Sequence, residues 1–319
     1  MEKESSLYFR YKGHDIQLVD TRRDSTDPLI IEFNALIEKL NLRYSYAKLF
    51  ELKEEQLLNY PIYLIYKNKQ YSLNEFVDEY IQLSRELSLA GSINGLWATH
   101  NLEIIGLAMS SSHSEEDLAT CNETFRLFQD VYNTFSLARF ALLDGYKKLH
   151  LHSTITWESG DKAQLWLRTY YLNNAIIWYN SCFDILVQTL WIGKKYYHNR
   201  SCTFLGLCND FDTILSKCRL EHIPEKCMEN FSKSDICKYV RDKANKLKHR
   251  NGLRYKEFVD PNLCWFKLKD YDSLKTVSSV DIEEVISNLT EYHKSFITLI
   301  EEVKEIINNE FTEKYNISL

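Results

Sequence analysis

One stretch of the chain concentrates groups suited to acting on a phosphodiester. From Lys238 to Arg254 it reads Lys-Tyr-Val-Arg-Asp-Lys-Ala-Asn-Lys-Leu-Lys-His-Arg-Asn-Gly-Leu-Arg, with seven Lys or Arg and one acid. Positive charge held so locally attracts phosphate whatever the sign of the whole chain. Arg241, Asn245 and His249 recur every four residues, so on a helix each stands about one turn after the last. At 100° per residue, Arg241 and His249 are about 80° apart around the axis and about 12 Å apart along it. A histidine can take the proton of a ribose 2′-OH or give one to the leaving 5′-oxygen. An arginine can hold the non-bridging oxygens and stabilise charge building on phosphorus. That pair needs neither a metal nor a cofactor. Lys246, Lys248 and Arg250 would steer and hold an RNA backbone, and Asn245 would position the substrate or His249. The plainer reading is a solvated helix face whose cations sit near the C-terminal end, where they complement the helix dipole.

Other constellations are sparser. Asn180, Asp184 and Gln188 fall at i, i+4 and i+8 of a stretch that is otherwise apolar. A buried polar group left without a partner costs about 1–3 kcal/mol, so this line must meet polar partners, water or a site. Asn180 and Asp184 are read as supporting residues behind the arginine and histidine. His150-Leu151-His152 beside Lys147 and Lys148 has a spacing two metal ligands could use on a strand, with no obvious third ligand. Lys194 to Arg200 mixes basic and aromatic residues and reads as a helix-end loop that could also grip RNA. No phosphate-binding glycine loop, nucleophile elbow or dinucleotide fingerprint occurs.

The elements that must carry these groups are mostly helices. Of 319 residues only thirteen are Gly or Pro, about a third of average usage. So few breakers argue against a sandwich or barrel. Apolar residues make up 45%, and 21 Tyr, 16 Phe and 6 Trp allow a sizeable core. The net charge is −6. The start, MEKESSLYFRYKG, has no apolar run of signal-peptide length. No uncharged run suggests a membrane span, so a cytoplasmic protein with reduced thiols is expected. The eight cysteines include no C-x-x-C pair, which disfavours zinc.

Leu7–Tyr11 and Asp15–Val19 around Lys12-Gly13-His14 read as a hairpin, as do Ile62–Tyr66 and Gln70–Ser72 around Lys67-Asn68-Lys69. A helix is expected after Pro28. Ser72-Leu73-Asn74-Glu75 is a capping box that opens another. Gly91 to Ser112 reads as a boundary, which places a small α+β lobe at 1–110 and a helical bundle at 111–319. A long helix from Ser114 carries a stripe of Leu118, Cys121, Phe125, Phe128, Tyr132, Phe135 and Leu142. The next, from about Ala163 to Ile192, is apolar nearly all round, as suits the middle of a bundle. Shorter helices are expected at Phe204–Cys218 and Ser234–His249, and a strand at Leu263–Leu268. Asp281 to Phe311 carries a clean apolar seam, including Ile306, that can close a bundle or form a dimer contact.

The run Arg241-Asp242-Lys243-Ala244-Asn245-Lys246-Leu247-Lys248-His249-Arg250 resembles the signature of HEPN (higher eukaryotes and prokaryotes nucleotide-binding) domains. In that family an Arg, usually followed by a polar residue, precedes a His by four to six residues. Here Arg241, Asp242 and His249 take those places, with seven residues between Arg and His. Asn180-Ser181-Cys182-Phe183-Asp184 also looks like the polar-marked helix of such bundles. The resemblance covers about Ser114 to Phe311 and leaves the N-terminal lobe unmatched. It implies a mainly α fold, a HEPN-like helical bundle, and a metal-independent endoribonuclease of toxin or phage-defence type. It also implies a homodimer lining one RNA cleft with two Arg/His sets, and an antitoxin or activator protein as a further partner. The competing readings are a non-catalytic helical module that binds RNA, a nucleotide or a protein, and a scaffold that dimerises through 281–311.

Overall fold

Two tight hairpins open the chain, and their turns explain their register. In the computed structural model β1 (Tyr8–Tyr11) and β2 (His14–Gln17) are joined by Lys12 and Gly13, at φ +49° and +80°. β3 (Ile62–Tyr66) and β4 (Lys69–Ser72) are joined by Lys67 and Asn68, at φ +47° and +61°. Two successive residues in the left-handed region make the turn whose twist matches that of the flanking strands. The two hairpins join edge to edge as one antiparallel sheet of order β2-β1-β3-β4, with Tyr8 opposite Ile65 and Tyr63 opposite Ser72. The structure describes residues 8–17, 25–39, 62–87, 102–112, 114–150, 160–194, 225–249, 252–258 and 279–317. The expected helix at 204–218, the expected strand at 263–268, His152 and Arg250 lie outside them.

Among the described residues there are eight α-helices, so the protein is mainly helical. They are α1 (Pro28–Lys39), α2 (Leu73–Glu86), α3 (Glu103–Ser111), α4 (Glu115–Tyr146), α5 (Gly160–Gly193), α6 (Lys226–Lys233), α7 (Asp235–His249) and α8 (Ile282–Tyr315). Local chemistry sets several of their starts. The capping box before α2 is formed both ways: Ser72 N–H donates to Glu75 Oε2 at 2.8 Å, and Glu75 N–H donates to Ser72 Oγ at 3.2 Å. Ser114 Oγ accepts the N–H of Asp117 at 3.1 Å ahead of α4. Part of the stretch read from the sequence as a boundary, 91–112, is helix α3, with Ile105 and Ala108 buried.

The chain divides into two compact units, each assembled from three segments rather than cut once near 110. The first takes in Met1–Glu86, Leu142–Leu172 and Arg254–Ile282; the second takes in Leu87–Ala141, Asn173–Leu253 and Glu283–Leu319. In the first, Phe33 of α1 fills the space over the sheet, with its ring 5.1 Å from Phe9 and 5.7 Å from Tyr11. Its interior also holds charge. Arg168 is fully buried, and it donates to Tyr66 Oη at 2.5 Å and to the Gly145 carbonyl at 3.1 Å. Lys148 lies between the rings of Tyr71 and Tyr146 and pairs with Glu79 at 2.8 Å. Such groups are tolerated inside only because each is hydrogen-bonded or paired.

The second unit is a helical core closed by α8. Val285, Leu289, Tyr292, Phe296, Leu299, Val303 and Ile307 are buried along one seam, as the apolar repeat requires. Ile306, placed in that seam from the sequence, is only half-buried. On α4 the stripe holds from Cys121 through Phe128, Tyr132 and Phe135 to Leu142, but Leu118, in the first turn, is 46% exposed. One helical stretch, Ala163–Gly193 of α5, is long and apolar enough to cross a membrane by length and composition. Sixty-one per cent of its most apolar window is buried inside the molecule.

Two expectations follow. A methyl group on Gly145 would lie 2.6 Å from Leu172 Cδ2 and Cγ. Leu172 is fully buried, so any shift must be taken up inside the core. Ala favours a helix over Gly by about 1 kcal/mol, but overpacking costs about 1–3 kcal/mol. Gly145→Ala should therefore lower the denaturant midpoint. Second, burial holds His293 at a pKa of about 3, helped by Arg139; burial also holds His150 at about 3, helped by Lys147 and Arg168. Between pH 6.5 and 3 the unfolded chain binds the extra protons, so this stability is complete above 6.5 and is lost as pH falls. The slope is about 1 kcal/mol per pH unit for each histidine. Denaturation at pH 7 and pH 5 should show the loss, and His293→Gln should flatten it by about one proton.

Candidate phosphate-binding site

The site is built on α7 of the second unit. Helix α6 stops at Ser234, whose Oγ accepts the N–H of Cys237 and so starts α7. Ile236, Cys237, Val240 and Ala244 are buried. The expected inward stripe of Ile236, Val240 and Leu247 is thus completed by Ala244, with Leu247 half-buried. The opposite face carries the charges. Lys238 pairs with Asp235 at 3.8 Å, and Lys243 and Lys246 share Asp242 at 3.8 and 3.0 Å. Five lysines and arginines stand against two carboxylates on this helix, so positive charge remains after the pairing.

Arg241 differs from the lysines around it. It is half-buried, with its guanidinium carbon 5.2 Å from the centre of the Phe183 ring. Among the described residues it makes no ion pair. A guanidinium that lies over a ring keeps its donors in its own plane, at the edge. An edge of N–H groups without a carboxylate suits a phosphate. Lys248 and His249 are exposed in the last turn, and Asn245 is exposed one turn earlier. Lys246 is half-buried in its pair with Asp242. The axial separation of about 12 Å between Arg241 and His249 stands, since both lie on one uninterrupted helix.

Two residues of the polar line on α5 are joined to each other. Asn180 is buried and donates from Nδ2 to Asp184 Oδ2 at 3.1 Å. Asp184 and Arg241 act on the same thiol. Burial pushes the Cys237 thiol up to about 11, with Arg241 pulling it down and Asp184 pushing it up. The Tyr292 hydroxyl is raised well above the ordinary range, chiefly by burial, and it feels the same two groups in opposite senses. Arg241, Phe183, Asp184, Cys237 and Tyr292 therefore form one neighbourhood, with Asn180 behind it. His249 lies outside that neighbourhood.

Sequence reading missed Phe183, Cys237 and Tyr292. The signal for Phe183 was present, because it directly precedes Asp184 on the polar-marked turn. Nothing in the sequence says that a ring from α5 meets an arginine from α7. The weakly supported pair of His150 and His152 is visible only at His150. Its ring stacks on Tyr171 at 5.4 Å, and its backbone is clamped by Gln164. Among the described residues no three His, Cys, Asp or Glu side chains gather as a metal set. Comparison of the chain with family profiles, curated proteins and solved structures finds no match.

The opposed influences on Cys237 give a measurable consequence. Asp184→Asn should lower the pH at which Cys237 becomes alkylated, and Arg241→Gln should raise it. Peptide mass mapping of alkylation against pH reads each shift separately from the other cysteines.

Proposed function

We propose that the protein is a metal-independent endoribonuclease of the HEPN type, with α7 as its RNA-facing helix. The observation that carries this reading is the guanidinium of Arg241, without an ion pair among the described residues and half-buried on Phe183, on the same helix as an exposed histidine in a cationic last turn. Arg241 holds the scissile phosphate through its N–H edge and stabilises charge on phosphorus. His249 exchanges the proton between the ribose 2′-OH and the leaving 5′-oxygen. Attack by the 2′-oxygen breaks the P–O5′ bond and leaves a 2′,3′-cyclic phosphate and a 5′-hydroxyl. Lys248 and Arg250 hold the flanking backbone, Lys246 adds to the field although it pairs with Asp242, and Asn245 orients substrate or imidazole. No step calls for a metal or cofactor.

The axial distance within one chain favours a shared site. Arg241 of one copy and His249 of a second can face one phosphate where a single α7 keeps them about 12 Å apart along its axis. A homodimer in the cytoplasm, held silent or released by an antitoxin or activator protein in a toxin or phage-defence setting, is the form this reading takes.

One observation favours the second reading, a non-catalytic RNA-binding module. Among the described residues no side chain orients the exposed ring of His249, whereas a general acid/base works best when held. The two readings part on one experiment. Wild type and His249→Ala are incubated with mixed RNA in excess chelator. The nuclease reading expects cyclic-phosphate products from wild type and a loss of about 100-fold or more in the variant. Equal, negligible cutting with retained RNA binding supports the module and removes the nuclease.

A further inference from the structure

We infer that Phe183 is the positioning residue for Arg241, fixing the guanidinium so that its donor edge meets phosphate. This rests on the reading of Arg241 as the phosphate clamp. The Phe183 ring is 1% exposed and lies 5.2 Å from the guanidinium carbon. It is not free to move. It stacks on Phe231 of α6, with centroids 5.7 Å apart and planes at 26°. Phe231 in turn meets Tyr292 edge-on at 5.3 Å and Phe296 at 5.6 Å, both on α8. Tyr292 is fixed at its far end, since its hydroxyl donates to the Tyr179 carbonyl at 3.1 Å. The guanidinium thus rests on a chain of rings anchored in the buried seam.

The arrangement answers a problem that any arginine has. Its long side chain loses rotamer freedom when it grips a ligand. A ring against the guanidinium removes much of that freedom in advance without pairing its N–H groups to an anion. A carboxylate in the same place would fix the side chain equally well but would consume the donor edge. The lysines at 238, 243 and 246 are held in that second way, by Asp235 and Asp242. Among the described cations of α7, Arg241 alone lies over a ring of another helix, which leaves it ready for an incoming anion.

The test uses the full chain and a single-stranded RNA oligonucleotide of mixed sequence, with binding followed by anisotropy at several salt concentrations. Arg241→Ala should weaken binding about fivefold and reduce the salt slope by about 0.7, the value of one phosphate contact on a single strand. Phe183→Met keeps the charge and the apolar volume but removes the ring, and it should lose affinity and slope like Arg241→Ala. The double variant should be no weaker than Arg241→Ala alone, and Phe183→Tyr should bind as wild type does. The Arg241 Nε–H resonance should be ring-shifted in wild type and Phe183→Tyr. If Phe183→Met fails to fold, an unshifted Arg241 resonance in the wild-type protein overturns the proposal by itself. Wild-type affinity and slope in Phe183→Met beside a weakened Arg241→Ala also overturn it, while leaving the clamp intact. Wild-type binding by Arg241→Ala overturns the clamp and the positioning role together.

Discussion

The arrangement depends on aromatic burial along α8. Tyr292 and Phe296 are fully buried and stack on one another at 5.5 Å. Around them gather Phe135 of α4, Tyr179 of α5 and Phe231 of α6. Rings of this size supply most of the apolar area a helical core removes from water, and their edge-to-face contacts add direction. Direction matters here because the last ring outward, Phe183, carries a charged group. A core of leucines would bury as much area without presenting a flat, electron-rich face to a guanidinium.

Polar groups inside that core are few and specific. Tyr179 Oη and His293 Nδ1 are 2.7 Å apart, and the imidazole stacks on Phe135 at 4.4 Å. His293 Nε2 is buried without a partner among the described residues. Such a group is tolerated when the ring stays neutral, and burial keeps it neutral. The core therefore holds a basic group in the one state that its surroundings accept, and the same burial that favours the fold makes it sensitive to acid. Asn180 and Asp184 follow a different rule. They lie on α5, where Asn180 donates to Asp184 at 3.1 Å, and Asp184 raises the Cys237 thiol that Arg241 lowers.

Much of this was legible because periodicity and caps are local. The hairpins, the capping box at Ser72 and the long apolar seam of α8 follow from residues close in sequence; the turns are one residue tighter than the sequence suggested, since His14 and Lys69 already pair in their strands, and Ile306 falls at the edge of the seam. What sequence left unread was lateral. Phe183 looked like one more apolar residue on a helix that is greasy on all sides, and such a helix carries no moment to say which face meets which neighbour. Its pairing with Arg241 joins residues 58 positions apart. The same limit explains Leu118, which kept the stripe's spacing but falls in the opening turn of α4, and Ala244, too small to stand out yet fully buried where Leu247 is not. The two-unit division was illegible for a related reason. Helices α4 and α5 each contribute residues to both units, and no composition shift marks a boundary inside a continuous helix.

The charge pattern of α7 separates what the helix dipole explains from what it does not. Cations at a helix C-terminus are favoured by the dipole, so Lys246, Lys248 and His249 would collect there on structural grounds alone. What the dipole does not explain is Arg241, which lies in the middle of the helix, away from that terminus. Its charge is half out of water, over a ring, and among the described residues it makes no ion pair, although Asp184 lies in the same neighbourhood. A cation–π contact offsets part of the cost of desolvation, and an anion arriving at the donor edge would offset the rest. Terminal cations describe a helix that is soluble and attractive to phosphate in general; an arginine seated on a ring, with no ion pair among the described residues, describes a place where one phosphate would be held in a defined orientation. The second property, more than the first, distinguishes a site from a charged surface.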